Sequence, residues 1–170
     1  MGEASNIRQQ VIEVGRQVVP YIFDQMTGIP MTFNEEITRK VEYAVLKLRF
    51  RLAYDLTSLV SVRGAVNGYV CLHLSKSLLF QAISQMISQP VAVIDNNVKD
   101  GAGELGNIVT GNMKTQLYSR GIKYNIGLPL ILCGTYVASS ARPPLVSSVS
   151  VFTSPYGNGC LEVAVDAPAC

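Results

Sequence analysis

Glu104 and Asn107 are the residues of this sequence whose types and spacing offer chemistry. They lie three positions apart in a segment that carries apolar residues at helical spacing, namely Leu105, Ile108, Val109 and Met113. On a helical wheel of about 100° per residue, these apolar residues spread across one face, and Glu104 and Asn107 lie opposite them with Gly111 and Lys114. A carboxylate and an amide placed in this way can both reach into one target outside the helix.

A solvated helix face would show the same spacing. Glu-x-x-Asn occurs readily by chance, and a second copy stands at Glu3 and Asn6. Taken alone, the spacing favours the solvated face. The glycines of the segment add a second feature, because glycine in a helix interior costs about 1 kcal/mol relative to alanine. Small residues on an exposed face are expected where another protein approaches the backbone closely, and the segment contains Gly103, Gly106 and Gly111.

The other residue types that could do chemistry form no recognisable site. His73 is the single histidine, and a position within a strand-like run predicts an ordinary sheet residue. The four cysteines, Cys71, Cys133, Cys160 and Cys170, contain no CxxC pair, which argues against zinc and thioredoxin motifs. Cys71 and Cys133 stand in apolar runs, so we expect them to be reduced and buried. The sequence offers no self-contained hydrolase chemistry.

Composition limits the class of protein. The chain has 170 residues, of which 48% are hydrophobic and 15% charged, so we expect one domain over 1–170 with a substantial core. A net charge of +2 without a basic run argues against nucleic-acid binding. No apolar stretch approaches the roughly 18–20 residues that cross a bilayer. The start of the chain lacks a signal-peptide pattern. We therefore expect a cytoplasmic protein.

The elements that must position residues 103–114 follow from periodicity. A first helix begins near Ile7 and ends near Gly28, and Pro20 predicts a kink or two helical pieces. A polar stretch covers 34–40. Strands are expected over 46–54, 59–62 and 69–74, with a hairpin turn at Asn67 and Gly68.

The second half begins with a helix after Ser75. A further helix is expected over 100–120, closed by Gly121. Strands follow over 128–133, 149–152 and 161–165, with a loop over 139–144. The order helix, three strands, two helices, three strands predicts an α+β fold in which helices pack on an antiparallel-rich sheet.

The segment 103–117, GELGNIVTGNMKTQL, resembles the active helix of the CheX and CheC phosphatases, whose signature is Glu-x-x-Asn followed by Gly-Asn-x-Lys. Residues 62–86 are similar to the strand–strand–helix segment that precedes that helix in the family. Residues 22–29, IFDQMTGI, are similar to the end of the family's first helix. The chain is therefore identified as a CheX-type member of the CheC/CheX/FliY family, with the corresponding fold.

This resemblance implies a phosphatase that acts on the phospho-aspartate of a CheY-type response regulator, in chemotaxis or related two-component signalling. Asn107 would orient the attacking water through its amide, and Glu104 would pair with a lysine of the regulator. An acyl phosphate is already activated, so positioning one water in line can supply much of the catalysis. Magnesium would be bound by the regulator, and this chain would bind no cofactor. The residues expected to contact the partner are Gly103, Gly106, Gly111 and Lys114.

One copy of the signature implies the single-site CheX arrangement, a homodimer formed through sheet edges, for which 46–54 would supply an edge. The tail 146–170 and the segment near Asn34 show little likeness to the family. Two alternatives stay open. The chain could be a non-catalytic module that docks a response regulator or a flagellar switch protein. It could also be a ligand-sensing domain whose helix face is only solvated.

Overall fold

The computed structural model describes residues 2–40, 55–133 and 146–166. Its elements, in chain order, are α1 Gly2–Thr27, β1 Thr32–Lys40, β2 Leu56–Gly64, β3 Asn67–Leu74, α2 Lys76–Ile87, α3 Asn96–Ser119, β4 Tyr124–Cys133, β5 Val146–Ser154 and β6 Gly157–Asp166. The order of element types is the predicted one, although the first described strand, Thr32–Lys40, is not the strand that was predicted. The α+β class is confirmed. The predicted strand over 46–54 and the predicted loop over 139–144 lie outside the described residues.

The strands form one six-stranded sheet in the order β1-β5-β6-β3-β2-β4. Every neighbouring pair is antiparallel. β1 and β4 are therefore the edge strands of the sheet in the described part of the chain. Within those same ranges, no helix has the length and apolar character that a bilayer crossing requires.

The two faces of the sheet differ in what they bury. One face, which we call the helix face, packs against the three helices through Leu72, Leu74, Leu161, Val163 and Val165. Because side chains alternate along a strand, the residues between these positions point to the opposite face, which we call the second face. Buried residues of the second face include Cys71, His73, Cys160 and Glu162.

The structure decides one of the two alternatives predicted at Pro20. α1 continues through Pro20 as one helix, so the alternative of two helical pieces is wrong, and the kink stays a prediction. Buried residues on both sides of the proline, Val18, Val19, Ile22 and Phe23, hold the helix against the core. The predicted stop is confirmed, since Gly28 has φ of +66° and its N–H donates to the Asp24 carbonyl at 2.9 Å.

Two further elements correct the sequence prediction. The polar stretch over 34–40 belongs to strand β1, which pairs with β5. An edge strand has one neighbour and can expose most of its side chains, so its pattern shows no clear alternation. β2 and β3 form the predicted antiparallel hairpin, but its turn lies at 65–66, and Asn67 and Gly68 already begin β3. A Cβ on Gly68, which has φ of +147°, would lie 3.0 Å from the Ala164 carbonyl carbon, so β6 approaches closely there.

Candidate functional site

α3 lies on the helix face against β2 and β4. Its start is capped by the Asp95 side chain, which accepts a hydrogen bond from the Val98 N–H at 3.0 Å. Its end is closed as predicted by Gly121, which has φ of +82°. The residues that fix its rotation on the sheet are fully buried, namely Leu105, Val109, Met113 and Leu117. This packing decides which side chains of α3 face outward.

The outward face carries the predicted polar residues. Glu104 is exposed, and Asn107 and Lys114 are partly buried. None of these three side chains forms a hydrogen bond or ion pair within 2–40, 55–133 and 146–166. With a rise of about 1.5 Å per residue, Glu104 and Asn107 lie roughly 4.5 Å apart along the helix axis. The carboxylate and the amide are therefore both available to a partner at one place on the face.

Gly111 leaves an opening in the same face. A Cβ built on Gly111 would meet no atom within 4 Å. The position lies one turn beyond Asn107 and one turn before Lys114 and Thr115, so the helix backbone is accessible between these side chains. At Gly111 the structure is compatible with the prediction that a partner approaches the helix backbone.

Gly103 and Gly106 do not lie on this face, and the prediction that they do is wrong. Both are buried. A Cβ on Gly103 would lie 3.5 Å from Ile131 Cδ1 and 3.6 Å from Pro129 Cγ, both on β4. A Cβ on Gly106 would lie 2.7 Å from the Cβ of Ser58 on β2. Gly106 therefore lets α3 lie close to the sheet, whereas a Cβ on Gly103 would make only ordinary contacts with β4. Both glycines are buried and are not accessible to a partner.

Ser58 is a residue beneath the candidate site that the sequence did not single out. Its Oγ is buried beneath Gly106 and has no hydrogen-bond partner among the described residues. A serine at an inward position of β2 and a glycine in α3 are unremarkable when read separately. Only the contact between them shows that this pair sets the height of α3 above the sheet, one residue before Asn107.

Two other side chains hold α3 internally. The Thr110 hydroxyl donates to the Gly106 carbonyl at 2.9 Å, and the Asn112 amide donates to the Ile108 carbonyl at 2.9 Å. The Asn112 bond lies within the helix. Asn112 is therefore an amide that is satisfied locally, in contrast to Asn107.

A separate polar cluster lies on the second face. Thr57 Oγ1 is 2.7 Å from His73 Nδ1, and His73 Nε2 is 3.2 Å from Glu162 Oε2. All three residues are buried and join β2, β3 and β6. His73 is a strand residue as predicted, but its link to Glu162, which is 89 positions away, becomes visible only through the strand register. The sheet separates this cluster from α3, so it does not belong to the α3 site.

The cysteines add no second site. Cys71 is buried, and burial, followed by the nearby Glu162, raises the pKa of its thiol well above the ordinary value. Cys133 is exposed, so the expectation that it is buried is wrong, and the reason is its place on the edge strand β4. Cys170 lies outside the described residues. Across 2–40, 55–133 and 146–166, no group of three or more His, Cys, Asp and Glu side chains could hold a metal ion.

The family model described as "Chemotaxis phosphatase CheX" matches residues 56–151, a range that runs from β2 into β5 and includes all of α3. No curated protein matches the sequence significantly.

Solved structures share the fold across nearly the whole chain. Chemotaxis protein CheX from Vibrio vulnificus aligns with a TM-score of 0.77 at 18% identity, covering 91% of this chain and 98% of its own. The CheX of a CheX–CheY–BeF3–Mg complex from Borrelia burgdorferi aligns at 0.68 and 17% identity, covering 91% and 96%. Thermotoga maritima FliY aligns at 0.68 and 17% identity, covering 96% and 92%. At these identities the likeness concerns the fold.

Proposed function

Because the chain belongs to the chemotaxis phosphatase CheX family, we propose that it removes the phosphoryl group from the phospho-aspartate of a CheY-type response regulator. The proposal is carried by one observation. α3 presents Glu104 and Asn107 together on its outward face, and neither has a partner among the described residues. The chain would act in the cytoplasm, where response regulators are found.

Asn107 is proposed to position the water. Its side-chain amide has one acceptor oxygen and an NH2 donor, so it can hold a water while also contacting a phosphoryl oxygen. The water attacks phosphorus in line, and the bond from phosphorus to the aspartyl oxygen breaks to release the regulator's carboxylate. Because the acyl phosphate is already a reactive bond, orientation of the water accounts for most of the proposed acceleration. The magnesium ion would be held by the regulator.

Glu104 is proposed to pair with a cation of the regulator beside the phosphorylated aspartate. It is exposed and forms no ion pair in the described part of the chain. A single carboxylate one turn before Asn107 would fix the position of α3 in the regulator's site. In this scheme, this chain supplies a carboxylate and an amide. The regulator supplies the phosphoryl group and the metal ion.

The homodimer expected from the resemblance is also a proposal. Of the two described edge strands, β4 fits it better than β1, because Leu128 is 91% exposed and Leu130 is 55% exposed. Pro129 between them is a residue that edge strands tolerate. Sedimentation of the chain, compared with a Leu128→Lys, Leu130→Lys variant, tests this, with the variant expected to be monomeric. A variant that remains dimeric would exclude this edge.

The function is tested by following loss of phosphate from a phosphorylated CheY-type regulator, with magnesium, in the presence of catalytic amounts of this chain. We expect acceleration, and we expect Glu104→Ala to weaken it. Glu13→Ala, which removes an exposed carboxylate from α1, is the matched control and should have no effect. Binding without acceleration, across a panel of regulators, would replace the phosphatase with the non-catalytic docking module.

A further inference from the structure

The outward face of α3 continues past Asn107 into a group that we call the basic end, formed by Lys114, Tyr118 and Lys123. Tyr118 lies two heptads after Glu104 and therefore faces nearly the same direction. Its side chain is 57% exposed. The Lys123 Nζ lies 5.1 Å from the centroid of the Tyr118 ring. An exposed aromatic ring is thus capped by a cation on the same side of the protein as Glu104.

The charges of this face are separated along the helix. Asp100 and Glu104 are exposed in the N-terminal half, whereas Lys114 and Lys123 stand towards the C-terminal end. None of these four forms an ion pair within 2–40, 55–133 and 146–166. The face therefore presents an acidic half and a basic half, neither of which is neutralised by a described neighbour.

The composition of the basic end is that of a docking surface. Tyrosine is enriched in protein interfaces because it buries a large area at a small cost in side-chain entropy. A lysine over an aromatic ring is attracted to the face of the ring by a cation–π contact. This contact favours conformations of Lys123 that keep its ammonium group beside the Tyr118 ring.

Resting on the proposed function, we propose that the basic end docks an acidic patch on the same phosphorylated receiver domain that Glu104 and Asn107 engage. Eleven residues separate Asn107 from Tyr118, which corresponds to about 16 Å of helix. The acidic patch therefore lies about 16 Å from the phosphoryl group. One face of α3 would then contact the regulator at two places, the reacting centre at one end and an acidic surface patch at the other. The contact with the acidic patch would determine which regulator is bound.

The test uses charge reversal with a matched control. Lys123→Glu is compared with Lys76→Glu, because Lys76 is also an exposed lysine over an aromatic ring, 5.5 Å from the Phe80 centroid, but stands at the start of α2. Both variants change the net charge equally, so long-range steering by net charge is the same in each. Steady-state kinetics with the phosphorylated regulator are measured at low and high salt.

We expect Lys123→Glu to raise KM about tenfold at low salt, with kcat retained, since reversal removes an attraction and adds a repulsion. The difference from the parent chain should shrink at high salt. Lys76→Glu should leave KM unchanged. Tyr118→Ala should raise KM as well, and Tyr118→Phe should retain most of the affinity. Equal effects of the two lysine reversals, or a fall in kcat without a change in KM, would overturn the docking surface.

A binding measurement distinguishes failure of the proposed phosphatase function from failure of the docking surface. Calorimetry with the regulator activated by beryllofluoride and magnesium reports affinity without turnover. If the chain binds but does not accelerate dephosphorylation, and Lys123→Glu weakens binding relative to Lys76→Glu, the docking surface stands and the phosphatase assignment falls. If the chain accelerates dephosphorylation and Lys123→Glu binds as the parent does, only the docking surface is overturned. Absence of binding overturns both.

Discussion

Replacing Gly106 with alanine should both destabilise the fold and misplace Asn107. A Cβ at this position would lie 2.7 Å from the Ser58 Cβ, whereas carbon atoms in favourable contact lie about 3.5–4.0 Å apart. α3 must therefore move away from β2 by about 1 Å, or β2 must yield by the same amount. Because Asn107 is the next residue, the displacement is transferred directly to the amide that is proposed to hold the water.

Two opposing contributions set the change in stability. Alanine in place of glycine in a helix interior favours folding by about 1 kcal/mol. Overpacking of a filled interior disfavours it by about 1–3 kcal/mol. We expect Gly106→Ala to lower the free energy of unfolding by up to about 2 kcal/mol. A displacement of 1 Å at a positioning group can lower a rate by about 100-fold, and we expect a loss of that order in kcat.

Gly111→Ala is the matched control, since its Cβ would meet nothing within 4 Å. The same substitution in the same helix should there raise the free energy of unfolding, by about 1 kcal/mol. Urea denaturation measures both variants. Adding Ser58→Gly to Gly106→Ala makes room for the new Cβ and should restore kcat, which separates a steric cause from a general loss of folding.

Either of two results would contradict the predicted role of Gly106. If Gly106→Ala is as stable as Gly111→Ala and retains its kcat, the close approach of α3 to β2 does not exist in solution. If Gly106→Ala loses activity but Ser58→Gly restores none of it, the loss has a cause other than this contact.

The remaining predictions concern buried polar groups. Ser58→Ala removes a buried hydroxyl without a hydrogen-bond partner among the described residues, so the free energy of unfolding in urea should rise by about 1 kcal/mol, and a fall would show that the hydroxyl is satisfied. Burial raises the pKa of Tyr69 and Tyr124 above that of an unfolded tyrosine, near 10. Their contribution to stability is therefore complete below pH 10 and is lost as pH rises further, because only the unfolded chain releases these protons. Denaturation between pH 8 and 11 should show a flatter decline when both are replaced by phenylalanine, and an unchanged slope would contradict this. Iodoacetamide should modify Cys133 before Cys71, because the Cys71 thiol is buried with a raised pKa, and peptide mapping in the native protein that finds Cys71 modified first would contradict its burial.

Periodicity predicted the helices and most strands because their residues either alternate or repeat at helical spacing against a core. It failed at β1, where an edge position removes the need for alternation. At Pro20, where the sequence predicted a kink or two helical pieces, flanking core residues keep one helix despite the missing N–H, so only the second alternative is wrong. In both places, tertiary packing decided the structure and local sequence did not.

The candidate site was predicted in part. The outward direction of Glu104 and Lys114 follows from the wheel, since the apolar stripe fixes the rotation of α3. Gly106 was predicted to contact the partner on the outward face, but it lies on the buried side of α3. A glycine has no side chain and so adds nothing to the apolar stripe from which the buried side is recognised. Its contact with Ser58 depends on two elements that are far apart in sequence, and no spacing rule reports such a contact. The link from His73 to Glu162 was missed for the same reason.

The most direct test of the central claim compares two amides of the same helix. Asn107→Ala removes the amide that has no partner among the described residues, and Asn112→Ala removes the one that bonds to the Ile108 carbonyl. Loss of phosphate from a phosphorylated CheY-type regulator is followed for both variants at saturating regulator, with folding checked by urea denaturation. The phosphatase account predicts that Asn107→Ala loses at least about 100-fold in kcat while remaining folded and able to bind, whereas Asn112→Ala retains the parent rate. Equal rates for Asn107→Ala and the parent chain would contradict it.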